Sequence, residues 1–350
     1  MRVLITGAGG FVGRHVATAA LQAGHIVRAV LRPSAPTSVL GPLVDDPALE
    51  VTTLDLRSPV GLVDALEGVD TVIHLAAAKS GDFYTQFAAT VVGTENLLAA
   101  MGAVGVKNLV GVSTFSVYDY RALRAGALLD EFAPLDTDPG RRDEYARTKL
   151  IQEELYRDHA HKAGNHVVVL RPGMVYGRDN LWHALLGAEI GPLVLRIGSR
   201  ATLPLTYAEN VADAMVLAAE QIGGGSGRLD GQIINIVDDR LPTQKQYIAA
   251  IADVAEAPRS LPVPWPAMQF ATELLDRGNE LIIGGRAKFP GFMVPDRLHA
   301  RFKPLRYTNA KAKRLLGWTP RFRLDGAIAR SVAKPSTRSS TEPVAAAVDG

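Results

Sequence analysis

Cysteine is absent from the 350 residues, which removes disulfides, thiolate nucleophiles and thiolate-bound metals together. An excess of one charge is also missing: 38 Lys and Arg against 36 Asp and Glu leave +2, with the basic residues scattered. Such a balance predicts no nucleic-acid partner. No run free of Asp, Glu, Lys and Arg reaches the ~18 residues of a membrane span; the run between Arg14 and Arg28 is as long as any. On that criterion a membrane span is excluded. The opening apolar run, Met1 to Thr6, is too short for a signal peptide and passes directly into glycines, so a cytoplasmic protein is expected. Internal repeats and sustained heptads are lacking as well.

What is present is apolar material: 47% of the residues are hydrophobic and 21% charged, enough for a sizeable core and too apolar for bulk disorder. Short Val/Ile/Leu runs recur at 2–6, 26–31, 50–54, 70–75, 107–113 and 166–171, separated by stretches of helical periodicity. Runs without polar alternation predict strands covered on both faces, hence an α/β fold with a doubly wound parallel sheet. After Arg171-Pro172 the pattern breaks at Gly187, Gly191 and Gly198, and a strand-like run returns at 232–237. The expected organisation is a nucleotide-binding domain over 1–175, rejoined by 205–240. A smaller C-terminal substrate-binding lid over 176–204 and 241–332 completes it. Residues 333–350 carry no periodic apolar face and are expected to be a disordered tail.

Thr6-Gly7-Ala8-Gly9-Gly10-Phe11-Val12-Gly13 joins the first strand to an apolar helix. Glycines let a backbone approach a pyrophosphate, and a helix start offers unpaired N–H groups. The spacing is G-x-x-G-x-x-G, so a plain strand-to-helix turn is the alternative. Dinucleotides are distinguished at the end of the second strand, where an acid accepts the ribose 2′-hydroxyl and an arginine pairs with a 2′-phosphate. Here that strand ends at Arg32 with no acid nearby, which favours NADP, with NAD as the other choice.

Tyr145 and Lys149 stand at i, i+4 in a helix-favouring stretch and so share one face. A phenol near pKa ~10 is a poor acid–base at neutral pH unless an adjacent ammonium favours its phenolate. Tyr307 and Lys311 have the same spacing but no strand-end hydroxyl to partner them, and a structural role is expected there. For Tyr145 the fifth strand delivers Ser113, Thr114 and Ser116 to the sheet's carboxyl edge, where α/β sheets bind ligands. A hydroxyl from Thr114 could hold a reacting oxygen against Tyr145; Ser116 is the spare.

Together these residues resemble the extended short-chain dehydrogenase/reductase family, which has nucleotide-sugar epimerases on one side and 3β-hydroxysteroid and dihydroflavonol-type enzymes on the other. The resemblance runs from Met1 to about Val332. Its landmarks are Thr6 to Gly13, Leu54-Asp55-Leu56, Val72 to Ala77, Gly93-Thr94 with Asn96, Ser113 to Tyr118, Tyr145 to Lys149, Leu170 to Gly177 and Leu316-Gly317-Trp318. It implies a Rossmann-type fold, catalysis by Thr114, Tyr145 and Lys149, and a homodimer of paired helices. It also implies a dinucleotide site formed by Gly7, Gly10, Phe11, Val12, Gly13, Arg32, Asp55, Leu56, Leu75, Ala76, Ala77, Tyr145, Lys149, Pro172, Met174 and Val175.

Departures narrow the reaction. Thr90 stands where the family usually has Asn, and Phe115-Ser116 stand where its sugar dehydratases carry Asp-Glu, so water elimination is not expected. The segment before Leu205 reads Ala201-Thr202-Leu203-Pro204, without the Arg usual in nucleotide-sugar enzymes. The expectation is hydride transfer between a nicotinamide and a secondary alcohol or ketone, sterol- or flavonol-like. A nucleotide-sugar epimerase with recycled NAD is the alternative.

No metal site is expected: His159, His161 and His166 suggest a solvated helix end. His74 suggests a packed or hydrogen-bonded residue, and Trp265 and Trp318 suggest lid packing. Arg178, Arg297, Arg301 and Arg306 suit either a solvated lid or a phosphate grip.

Overall fold

The computed structural model describes residues 1–333, apart from 163, 226, 253, 255–258 and 284–288. The expected tail, beyond Ala333, lies outside the described residues. Seven parallel strands form the central sheet: β1 (Arg2–Thr6), β2 (Ile26–Leu31), β3 (Leu49–Thr53), β4 (Thr71–His74), β5 (Asn108–Val112), and the strands His166–Pro172 and Gln232–Ile236. Their spatial order runs from Gln232–Ile236 through His166–Pro172, β5, β4, β1 and β2 to β3. The apolar runs in the sequence mark these strands to within one or two residues, giving a Rossmann-type α/β fold.

The reason is visible in β1. Successive side chains of a strand point to opposite faces. Val3 and Ile5 pack beneath α1 (Phe11–Gln22) and the helix Ala208–Gly223, against Val16, Ala20, Val211 and Met215. Leu4 points the other way, into a core with Val72, Leu97, Met101 and Leu109 beneath Gly93–Val104 and its neighbours. Both faces of β1 are dry at Val3, Leu4 and Ile5, so its middle positions are all apolar, whereas the edge strand β3 carries Glu50, Thr52 and Thr53. A buried side chain of this size is stabilised by ~1.5–3 kcal/mol.

One glycine positions the later site. A Cβ on Gly111 of β5 would lie 2.8 Å from the ring of Tyr156. Its absence seats the helix Glu144–Ala160 close to the sheet.

The helices Phe83–Phe87 and Gly93–Val104 are continuous through a π-helical turn, Ala88–Val92. Over Phe83–Val104 the only charged residue is Glu95, and this stretch is long and apolar enough to cross a membrane by length and composition. The charge-free-run criterion had passed over it, because one central carboxylate divides the run. Here Leu97 and Met101 lie in the core between this helix and the sheet.

Beyond the seven strands, Ala188–Ile190, Leu193–Ile197 and Arg259–Val263 form a small mixed sheet. Ile197, Trp265, Phe292, Leu298 and Phe302 make a separate core with the helix Pro295–Phe302. Trp318 lies elsewhere than expected: it packs in the core of the seven-stranded sheet and donates from Nε1 to the Asn210 carbonyl at 3.0 Å.

Candidate active site

The glycine turn is tight where it matters. Gly7 has φ +70°, and a Cβ there would sit 3.0 Å from the Ala76 nitrogen. The Gly10 nitrogen donates to the Gly7 carbonyl at 2.9 Å. A Cβ on Gly13 would fall 2.1 Å from that same carbonyl oxygen, so only glycine lets α1 start here. Gly10 caps α1 without any side-chain hydrogen bond, and the first turn carries no acid. The N–H groups of Phe11, Val12 and Gly13 therefore face outward with the positive end of the helix dipole, an arrangement suited to a pyrophosphate.

Leu75, Ala76 and Ala77 follow β4 beside this turn, and Ala76 donates its N–H to the Thr6 hydroxyl at 3.2 Å. The next loop is held from the helix side. Asn96 donates to the Leu56 carbonyl at 2.9 Å, and Gly93 has no Cβ to obstruct Leu56. The Asp55 carboxylate is gripped by Arg57 through contacts of 2.6–3.0 Å, which holds its pKa below the usual carboxylate value. Arg32 is exposed at the end of β2. Pro172, Met174 and Val175 continue the His166–Pro172 strand, and Met174–Tyr176 pairs in parallel with Leu205–Tyr207.

At the carboxyl end of β5, Ser113 turns inward and leaves its hydroxyl buried without a hydrogen-bond partner. Thr114 and Ser116 are half-exposed. The Thr114 hydroxyl accepts from the Ser116 nitrogen at 3.2 Å and stands near enough to the Tyr145 phenol to favour its ionised form, while burial pushes that phenol up to about 12. Asp143 caps the helix Glu144–Ala160, accepting from the Ala146 nitrogen at 2.8 Å. Lys149, one turn after Tyr145, is 3% exposed. Its ammonium donates to the Val112 carbonyl at 2.6 Å and to the Gln152 side-chain oxygen. Burial lowers its pKa to about 7, with Glu153 pulling it up and Lys79 pushing it down.

Tyr307 does not belong to this group. It lies in the short strand Arg306–Tyr307, outside the helix Ala310–Leu316 that carries Lys311, and packs on Phe115 at 6.0 Å. His159 is buried and accompanied by Asn165, contrary to a solvated helix end, whereas His166 pairs with Asp230 at 2.8 Å.

Sequence reasoning marks Thr90 only as a departure from the family's Asn and misses the other polar residues behind the site. Thr90 accepts from the Ala78 nitrogen at 3.0 Å, bracing the loop after β4. Arg171 and Glu153 form a bidentate pair at 2.8 and 2.5 Å, both side chains buried. A helix carrying Lys149, Gln152, Glu153 and Tyr156 toward the sheet shows no apolar stripe; the signal was the i, i+3, i+4 and i+7 spacing of those residues.

The model of the NAD dependent epimerase/dehydratase family matches residues 3–236. The chain is 30% identical to 3 beta-hydroxysteroid dehydrogenase/Delta 5-->4-isomerase of Mycobacterium tuberculosis, over 92% of this chain and 86% of that protein. It is 26% identical to mouse (Mus musculus) sterol-4-alpha-carboxylate 3-dehydrogenase, decarboxylating, over 94% and 89%. In three dimensions it resembles UDP-glucose-4-epimerase from Stenotrophomonas maltophila with bound NAD, with a TM-score of 0.70 and 22% identity over 95% of this chain and 96% of that one. The glycine turn, the strand order and these matches agree: the chain belongs to the NAD-dependent epimerase/dehydratase family and is a nicotinamide-dependent enzyme of hydride transfer.

Proposed function

We propose that the protein oxidises or reduces a hydrophobic secondary alcohol or ketone of sterol- or flavonol-like type, with Thr114, Tyr145 and Lys149 as its catalytic residues. The observation that carries this reading is that Thr114, at the carboxyl edge of the sheet, and Tyr145 stand close enough to influence each other, with Lys149 one turn away. When bound, the nicotinamide supplies or accepts the hydride.

The chain's own residues handle the proton and the geometry. Tyr145 gives its phenolic proton to the forming alkoxide in reduction, or takes the hydroxyl proton in oxidation. Burial alone would keep its phenol protonated. Lys149 counters this when charged, because a nearby cation favours the phenolate. Thr114 holds the substrate oxygen beside the phenol, restricting it to a reactive orientation.

The dinucleotide in this reading is NADP. Arg32 follows β2, and the nearby acid in the adenine-side loop, Asp55, is already gripped by Arg57, so Arg32 remains available for a 2′-phosphate.

One feature favours an apolar substrate over a nucleotide sugar. Three of the arginines suited to gripping phosphates instead donate to main-chain carbonyls: Arg178 to Arg330 and Ala333, Arg297 to Arg142, and Arg306 to Gly126. The relatives named for sterol substrates point the same way. A cytoplasmic homodimer joined through the adjacent helices Gly93–Val104 and Glu144–Ala160 completes the proposal, and a solution mass tests it.

Extraction of the freshly purified protein followed by titration with NADP and NAD tests the cofactor assignment. Little retained nucleotide and tighter binding of NADP agree with an exchanging co-substrate. Stoichiometric, tightly held NAD contradicts it and favours a recycled cofactor.

A further inference from the structure

We infer that Gln152 is a positioning residue for Lys149, fixing its ammonium through a buried hydrogen-bond chain that reaches back to the glycine turn. The chain itself stands apart from the oxidoreductase reading; only the task of Lys149 rests on that reading.

Donor and acceptor roles follow from chemistry. An ammonium only donates, so the Gln152 oxygen faces Lys149 and its amide nitrogen faces away, donating to Thr94 Oγ1 at 2.8 Å. The Thr94 hydroxyl donates to the Thr90 carbonyl at 2.5 Å, which spends its one proton. His74 Nε2 lies 2.9 Å from Thr94 Oγ1 and 3.3 Å from the Gln152 amide nitrogen, and His74 Nδ1 lies 2.6 Å from the Thr6 hydroxyl. Thr6 in turn accepts from the Ala76 nitrogen at 3.2 Å. The chain therefore joins Lys149 to the loop beside Gly7 by way of two helices and two strand ends.

The side chains that form it are buried: Thr6, Thr94 and Gln152 are 0% exposed, His74 1% and Lys149 3%. A dry network of this kind is rigid when complete and costly when one member is lost. Its direction also matters. Two neutral acceptors, Val112 and Gln152, hold the ammonium and leave its charge uncancelled.

The charged groups around Lys149 sharpen the point. Glu153 follows on the same helix but is committed to Arg171. Lys79, in the segment after β4, repels the ammonium. His74, from β4, is kept neutral by burial and by Lys149, with its pKa lowered to about 3. Tyr145 lies one turn earlier on the same helix. A carboxylate at 152 would cancel the charge that Tyr145 uses, and an aliphatic side chain would remove an acceptor.

The test is a lysine titration followed by NMR of side-chain-labelled protein with no substrate present, comparing wild type with Gln152→Glu, Gln152→Leu, Thr94→Val and Thr94→Ser. Gln152→Glu should raise the Lys149 titration by roughly one unit or more, Gln152→Leu and Thr94→Val should lower it, and Thr94→Ser should restore it. The same Lys149 titration in Gln152→Glu as in wild type, with melting unchanged, would overturn the inference. The Gln152→Glu variant keeps shape and volume, so it remains informative if Gln152→Leu does not fold.

A second readout uses NADP and a 3β-hydroxysteroid. Gln152→Leu should lower kcat by about tenfold or more with little change in nucleotide affinity, and should move the pH profile. An unmoved profile counts against the inference. If wild type does not turn over that substrate, the function reading fails while the lysine titration still decides the role of Gln152.

Discussion

The Lys149 ammonium donates to the carbonyl of Val112 at 2.6 Å, two residues before Thr114. One contact thus fastens the helix bearing Tyr145 to the strand that delivers the hydroxyl. It follows that Tyr145 can be altered without disturbing the nucleotide turn, which lies on other elements. Tyr145→Phe should cost at least ~10²–10⁴-fold in turnover, with NADP affinity within a few-fold of wild type. Steady-state kinetics beside a binding titration separates the two effects.

The two hydroxyls at the end of β5 should behave oppositely. Thr114 meets Tyr145, whereas Ser113 is buried without a partner. Thr114→Ala should lose about 10²-fold in kcat and Thr114→Ser should recover most of it. Ser113→Ala should leave turnover nearly unchanged, because no hydrogen bond is removed.

Arg32 carries the cofactor preference in this account. Exchange to Glu should weaken NADP binding by roughly tenfold or more, as expected when a charge-assisted contact worth about 1.5–3 kcal/mol is removed. NAD affinity should hold or improve. Equal losses for both nucleotides would show that Arg32 acts on neither phosphate.

A methyl group at Gly13 has nowhere to go, since the Gly7 carbonyl oxygen lies 2.1 Å from the Cβ position. Gly13→Ala should destabilise the fold by about 1–3 kcal/mol, read as a lowered Tm, and should weaken dinucleotide binding at the same time.

Burial of Lys149 also sets a pH signature. Its folded pKa is about 7, against 10.5 for the free side chain. Between those values the unfolded chain holds more protons than the folded one, so this lysine makes stability rise with pH and contributes no slope well below 7. Lys149→Met removes that slope. The stability of wild type relative to the variant should increase from neutral to alkaline pH, checked by melting curves across that window.

How much of this was legible in the sequence depended on which physical signal each part leaves. The strands were legible because a sheet covered on both faces requires unbroken apolar runs, as Val3, Leu4 and Ile5 show. Gly7, Gly10 and Gly13 were legible because their spacing is local. Gln152 and Thr94 were not, since a polar network between two helices has neither periodicity nor adjacency. Trp318 was misplaced for a related reason: its late position suggests the lid, but Leu316 and Trp318 pack back against Ala208–Gly223. His159 differs from its expectation because a helix end need not face solvent: its ring lies inside.

The most direct test of the central claim is to incubate the protein with a 3β-hydroxysteroid and NADP or NAD, and to follow the absorbance of the reduced nicotinamide alongside the steroid product. The account predicts net accumulation of reduced nucleotide in step with ketone, abolished in Tyr145→Phe. A purified, folded protein that inverts a nucleotide sugar with no net nucleotide reduction, and leaves the steroid untouched, would contradict it.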